Sequence, residues 1–394
     1  MSTRLPLVAA RTRPSRAVAA VLGALLLAAP GLVAPPAASA AQPATAISAG
    51  ANHACAILAD RTIRCWGANA NAQLGNRSTT RSATPVAVLG LGDARAVAAG
   101  TNHTCAIVGD DGTVYCWGSN AYGQLGATTE RSRSLEPIRA GELEGAIALA
   151  AGARHTCAIL EGGLVRCWGS NEEGQLGNSG VRGRSAEPVE VKGIVRASSI
   201  GAGEAHTCIR IKDGTGRCWG ANGFGQVGRG STAATRTPAL IARGTTLAFV
   251  TAGRFHSCTV TLAKTVACWG WNLLGALGGG TGELTATAPV AVPKLGGVRA
   301  IDAGEGLTCV LMTTGRVRCW GPNDFGGLGN QSTTDSPTPV GVSGVADAVA
   351  ISVGTAFACA LLETGGVRCW GQNASGQLGD GSRTDRALAA DVSL

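Results

Sequence analysis

The chain has 394 residues, 45% of them hydrophobic, with 59 glycines and only 15% charged residues. That is too apolar for a disordered chain and too rich in glycine for a helical one. The formal charge is +8, but residues 1–40 hold four arginines and no acids, which leaves +4 for the remainder. So mild a charge implies no specific nucleic-acid partner.

The N-terminus carries Arg4, Arg11, Arg13 and Arg16, then an apolar run over about 17–29, then Ala38-Ser39-Ala40. A positive region, a short apolar core and a small-residue cleavage site predict a secretory signal peptide over 1–40, with Ala41 as the mature start. Pro30, Pro35 and Pro36 argue against a membrane anchor. Adjacent arginines are absent, no cysteine stands at the cleavage point, and no later stretch is long and apolar enough to span a bilayer. Fourteen cysteines, an even number, fit an oxidising compartment. The expectation is an extracellular protein with no membrane span after cleavage.

From about residue 44 to the end the chain repeats. Its cysteines fall into seven close couples: Cys55 with Cys65, Cys105 with Cys116, Cys157 with Cys167, Cys208 with Cys218, Cys258 with Cys268, Cys309 with Cys319, and Cys359 with Cys369. The second member advances by 50 or 51 residues from one copy to the next. A helical period is absent, which excludes a helical solenoid. Each copy reads as four short strands; in the second these are Ala94–Ala98, His103–Val108, Thr113–Gly118 and a segment entered at Pro137. Pro85, Pro137, Pro188, Pro238, Pro289 and Pro339 share one repeat position, suited to the start of an edge strand, and Ala389 replaces them in the last copy. Seven units of four strands predict an all-β, seven-bladed β-propeller in one domain, 41–394.

Placing Cys105 opposite Cys116 puts Thr104 opposite Trp117. The same register sets Ala54, Thr156, Thr207, Ser257, Thr308 and Ala358 against Trp66, Trp168, Trp219, Trp269, Trp320 and Trp370. A small residue faces every indole, as a large ring requires of its cross-strand neighbour. Alternation puts the cysteines on one blade face and the tryptophan on the other, and both faces are buried between neighbouring blades. Opposed positions of this kind suit seven within-blade disulfides, each worth roughly 2–3 kcal/mol at most. The alternative is seven pairs of free buried thiols. A zinc site is disfavoured, because no Cys-x-x-Cys spacing occurs.

All five histidines, His53, His103, His155, His206 and His256, occupy one repeat position, which is Leu307 and Phe357 in the last two copies. A position that accepts Leu and Phe is a packing position, where a neutral imidazole can also bond to backbone. No histidine remains for a Ser-His-Asp arrangement, so neither a catalytic residue nor a metal or cofactor site is expected. The loop after each tryptophan reads Trp-Gly-x-Asn, with Asn69, Asn120, Asn171, Asn222, Asn272, Asn323 and Asn373 all present. Asparagine there bonds nearby backbone and tolerates left-handed conformations.

Gly152-Ala153-Arg154-His155-Thr156 and Trp168-Gly169-Ser170-Asn171-Glu172-Glu173-Gly174-Gln175-Leu176-Gly177 resemble the repeat of the regulator-of-chromosome-condensation family. The resemblance covers the chain beyond the leader and implies a seven-bladed propeller in a secreted bacterial member. The family's founder is a nuclear guanine-nucleotide exchange factor that binds chromatin. Other members sense light through tryptophan clusters, and a secreted bacterial propeller that inhibits β-lactamases is similar in location and class.

Function is expected where copies differ. In the loop after the tryptophan, Tyr122, Phe224, Trp271 and Phe325 are such positions, and exposed aromatics are typical interface anchors. A second set is basic: Arg77, Arg81, Arg131, Arg133, Arg182, Arg184, Arg229, Arg236, Arg383 and Arg386 form an arc that the fifth and sixth copies interrupt with Glu283 and Asp335. It could attract an acidic protein or cell-envelope polymer. The reading is a monomeric, non-catalytic binding scaffold, with exchange-factor-like activity or a hydrolase at the central channel as alternatives. Mass spectrometry of the secreted protein is expected to show seven disulfides and no alkylatable thiol until reductant is added; free thiols without reductant contradict the pairing.

Overall fold

The computed structural model describes residues 42–394 apart from 130, 242–245 and 281. The leader inferred for 1–40 lies outside the described residues. Seven four-stranded antiparallel sheets form, each from four consecutive strands. They are the blades of a seven-bladed propeller, spanning 44–87, 94–139, 146–190, 197–240, 247–291, 298–341 and 348–391. Sequence copies and blades coincide, so no blade borrows a strand from the far end of the chain. The ring closes by the contact of blade 7 with blade 1, without a shared strand.

The register matches the expectation pair by pair. Thr104 lies opposite Trp117 and Cys105 opposite Cys116, and the other six blades repeat this. All fourteen cysteines pair within their own blades. In blade order, Cys55 is bonded to Cys65, Cys105 to Cys116, Cys157 to Cys167 and Cys208 to Cys218. Cys258 is bonded to Cys268, Cys309 to Cys319 and Cys359 to Cys369. Their Cα–Cα distances are 4.0–4.1 Å. Such closeness belongs to non-hydrogen-bonded pairs of an antiparallel ladder. The seven repeated tryptophans are fully buried.

Between blades the disulfide face of one meets the tryptophan face of the next. Cys55, Ile57, Ile63 and Cys65 of blade 1 pack against Trp117 of blade 2. The same arrangement recurs around the ring and closes it, where Cys359 and Cys369 of blade 7 meet Trp66 of blade 1. Each indole Nε1–H donates to a loop carbonyl of the preceding blade, as from Trp117 to Gln73 O at 2.9 Å and from Trp66 to Gln377 O at 2.9 Å. The approach is so close that a Cβ on Gly75 would lie 2.8 Å from Trp117 Nε1. Removing one indole therefore costs the cavity, about 3–5 kcal/mol, together with its buried hydrogen bond.

The histidines join this contact. His53 Nε2 lies 2.9 Å from Thr104 Oγ1 of the next blade, and that hydroxyl donates to Gln73 O. The hydroxyl proton being used there, the imidazole must donate from Nε2. The pairing repeats as His103–Thr156, His155–Thr207, His206–Ser257 and His256–Thr308. Leu307 and Phe357 precede blades that carry Ala358 and Ala54 instead of a hydroxyl. The imidazoles thus bond to a side chain of the neighbouring blade, where backbone was expected.

Two further expectations change. The prolines do not open the outer strands: Pro85 sits inside Ser82–Ala87, at an irregularity between the pairs Cys65/Val86 and Gly67/Ser82. The seventh outer strand, Arg386–Asp391, forms without proline. Nor do the loop asparagines adopt left-handed backbone. The expected bonding to nearby backbone does form: Asn69 accepts from Leu74 N and donates to Ser78 O and Thr80 O, closing its loop from inside.

Thr156→Ala is expected to cost about 1–3 kcal/mol, because it strands the His103 Nε2–H in a dry interface. Adding His103→Leu, which copies the last two blades, should recover most of that loss. Denaturant unfolding of the two single variants and the double variant checks this coupling, and additive losses would contradict it.

Candidate functional site at the loop face

Antiparallel order puts the Gly-x-x-His loops and the loops after the tryptophans at one end of the ring, with the two-three hairpins at the other. At the loop end the channel opens into a cavity of about 520 Å³ walled by the glycines that precede each Gly-x-x-His turn. Only glycine fits that wall, since a Cβ at Gly50 would lie 2.2 Å from Gly100 O. The two residues after each glycine therefore decide what the mouth presents. They are Ala51-Asn52, Thr101-Asn102, Ala153-Arg154, Glu204-Ala205, Arg254-Phe255, Glu305-Gly306 and Thr355-Ala356.

On blades 4 to 6 these residues build a connected patch. Arg254 Nε lies 2.9 Å from Glu204 Oε2, and its Nη1 pairs with Glu305 on the other side. Its guanidinium also sits 4.9 Å from the Phe255 ring centroid. Phe255 meets Phe224 and Trp271 edge-on at 5.5 and 5.4 Å, while Phe224 and Trp271 stack at 5.3 Å. Three aromatics from two blades thus form one partly exposed cluster beside a bridging arginine. Sequence reasoning found Phe224 and Trp271 but missed Phe255, Arg254, Glu204 and Glu305, which lie in a turn read as scaffold. The signal was the variation between the invariant glycine and the histidine position.

The other predicted residues are dispersed. Tyr122 carries the Arg154 guanidinium over its ring at 4.6 Å. Phe325, 40% exposed, lines a separate small pocket on blade 6. Part of the arginine arc ties blades together: Arg133 Nη1 donates to Ala70 O and Arg184 Nη1 to Ala121 O, each at 3.0 Å on the preceding blade. Arg236 does the same with Asn171 O and Glu172 O. Arg77 pairs with Glu136 and Arg386 with Asp380. Arg131 and Arg182 have exposed side chains.

Deeper in the channel, Asp302 accepts from Thr251 Oγ1, Ser352 Oγ and the amides of Ala303 and Val353. Burial pushes its carboxyl above the usual range, against the pull of these four donors. Ser48 and Ser352 fill the same repeat position and accept from the next blade's amide at 3.0 and 2.9 Å. Asp302 is thus the carboxylate version of an inter-blade contact.

A family model described as an RCC1-like domain matches residues 22–278. The chain belongs to the RCC1-like domain family. Models of the regulator of chromosome condensation (RCC1) repeat match 298–326, 348–377 and 314–361 as well. This RCC1-like propeller is 32% identical over 205 residues to the human probable E3 ubiquitin-protein ligase HERC6, covering 50% of this chain and 20% of that protein. It is 30% identical over 190 residues to the ultraviolet-B receptor UVR8 of Arabidopsis thaliana, covering 47% and 43% respectively. The chain thus spans less than half the length of these curated relatives. Among solved structures, Prp20p of Saccharomyces cerevisiae has a TM-score of 0.77 at 21% identity, over 86% of this chain and 87% of that one. Human WBSCR16 gives 0.77 and 21%, over 84% and 94%. Both likenesses are of fold.

The buried imidazoles make the propeller acid-sensitive. Burial lowers His53 and His256 to about 4, and burial with a neighbouring imidazole lowers His103, His155 and His206 to about 3. Each Nδ1 is buried without a partner, so a proton added there meets no acceptor. Between about 6.5 and these values the unfolded chain binds more protons than the native one. Stability is therefore complete above pH 6.5 and falls as pH drops towards 4. Melting temperature against pH checks this, and His256→Leu with Thr308→Ala should flatten the slope.

Proposed function

We propose that this propeller is an exported bacterial scaffold that binds a partner protein through the loop face of blades 4 to 6 without catalysing a reaction. The observation that carries the reading is the Phe224–Phe255–Trp271 cluster beside the Glu204–Arg254–Glu305 bridge. Aromatic and arginine side chains in a recessed setting with a polar margin are the usual anchors of protein interfaces. These residues belong to no repeated packing contact, whereas the histidines, the repeated tryptophans and Asp302 all do. The leader-like segment at 1–40 and the seven disulfides support export into an oxidising compartment. No helix among the described residues is long and apolar enough to cross a membrane. Prp20p, whose structure was described with its binding to Gsp1p and histones, supports propellers of this type as protein binders. The likeness is one of fold and points to no particular partner.

Capture from the producing culture's fluid by the immobilised propeller tests the reading. Phe224→Ala with Trp271→Ala should weaken capture of a stoichiometric protein at least about 10-fold, as loss of interface anchors does. Arg131→Ala with Arg182→Ala should alter only its salt dependence. Undiminished capture by the aromatic variant overturns the proposed face, and salt-reversible retention on bare cell wall by arginine-dependent contacts favours an acidic envelope polymer instead.

A further inference from the structure

We infer that the pocket beside Phe325 on blade 6 is a receptor for a lysine side chain of the partner protein. The inference rests on the protein-binding reading above and names one group that the partner presents.

The pocket lies where blades 6 and 7 bring together small residues at positions that are filled in most other blades. The scaffold glutamine of five blades, Gln73, Gln124, Gln175, Gln226 and Gln377, is replaced here by Gly327, as it is by Ala276 in blade 5. In those five blades its Oε1 accepts a loop amide, as Gln124 does from Tyr122 N at 2.9 Å. The turn residue before the histidine position, which is Asn52, Asn102, Arg154 or Phe255 in four blades and Ala205 in blade 4, is Gly306 here and Ala356 in the next blade. Space of about 170 Å³ remains, bounded by Leu273, Pro322, Phe325 and those small residues, with Glu305 and Asp324 also lining it. Binding sites for whole small molecules run to roughly 300–1,000 Å³. This one is sized for a single side chain.

Its chemistry is amphipathic in one direction. The walls are a leucine, a proline and an exposed phenylalanine, which suit a methylene stem. Asp324 has an exposed side chain that is paired with no cation among the described residues, while Glu305 shares Arg254 with Glu204. An apolar stem ending in a compact cation satisfies both halves, with the cation additionally attracted to the Phe325 ring. A purely aliphatic side chain would gain nothing from the Asp324 carboxylate, and an acidic one would be repelled.

The five phenylalanines make the test direct, because 4-fluorophenylalanine labelling of the full chain places one fluorine signal at each of Phe224, Phe249, Phe255, Phe325 and Phe357. Titration with Nα-acetyl-lysine N-methylamide should move the Phe325 signal saturably, and the norleucine analogue, which lacks the charge, should bind at least about 3-fold more weakly. Asp324→Asn should reduce the lysine affinity by a similar factor. Gly327→Gln, which restores the side chain used in other blades, should abolish the response with the other four signals in place. Equal binding of norleucine, no movement of Phe325, or an undiminished response in Gly327→Gln each overturns the inference. The probe needs no partner protein. A lysine response that persists while partner capture survives loss of Phe224 and Trp271 refutes the proposed face and leaves the pocket standing.

Discussion

One contact governs this propeller: an indole N–H and, in five of the seven interfaces, a hydroxyl from one blade converge on a single carbonyl of the blade before it. A blade has two apolar faces and cannot bury either alone. The indole fills the disulfide face of its neighbour, and its N–H sets the angle at which the two sheets meet. Glycine at the loop end, asparagine inside the loop and a small residue opposite the ring all follow from holding that carbonyl in place. The seventh interface repeats the contact between chain ends, where Phe357 and the blade 7 disulfide pack against Trp66. Closure thus depends on the same packing as every other interface.

The histidines belong to this contact as conditional partners. An imidazole is present wherever the next blade offers a hydroxyl and is absent at both interfaces where it offers alanine. Buried polar groups are retained in satisfied pairs or replaced together by apolar ones, because a half-removed pair leaves an unmet donor in a dry interface. In this chain the two solutions stand side by side within one ring. Four positions of blades 5 and 6 also depart from the repeat, Ala276, Gly327, Leu307 and Asp302, although the carbonyls of Ala276 and Gly327 still accept the next blade's indole. The exposed aromatic cluster and the small pocket lie on the same side of the ring, so relaxation of the repeat and surface specialisation coincide.

Much of the fold was legible in the sequence because the constraints repeat. Seven copies with cysteines at one spacing fix the register of a hairpin, and a small residue opposite each tryptophan confirms it independently. The His-hydroxyl pairing could also have been read, from Leu307 with Ala358 and Phe357 with Ala54, had copies been compared with their successors as well as with themselves. The site was less legible for a physical reason. Phe224 and Trp271 stood out as non-repeated aromatics, but Phe255, with Arg254 beside it, comes from another loop of blade 5, which only the folding of that blade and its packing on blade 4 bring beside them. Arg133 and Arg184 looked like free surface charge, and their carbonyl partners are about sixty residues away in the chain.

The central claim is that repeated residues build the ring and that differences between copies on blades 4 to 6 bind the partner. It is tested most directly by a chimera in which the Gly-x-x-His turns and tryptophan loops of blades 4 to 6 are replaced by those of blades 1 and 2, keeping every hydroxyl and imidazole matched. Its affinity for the captured partner is measured beside its melting temperature. The account predicts a folded propeller melting within a few degrees of the parent and at least about 100-fold weaker binding, as loss of several anchors implies. A chimera that binds as tightly as the parent would contradict it.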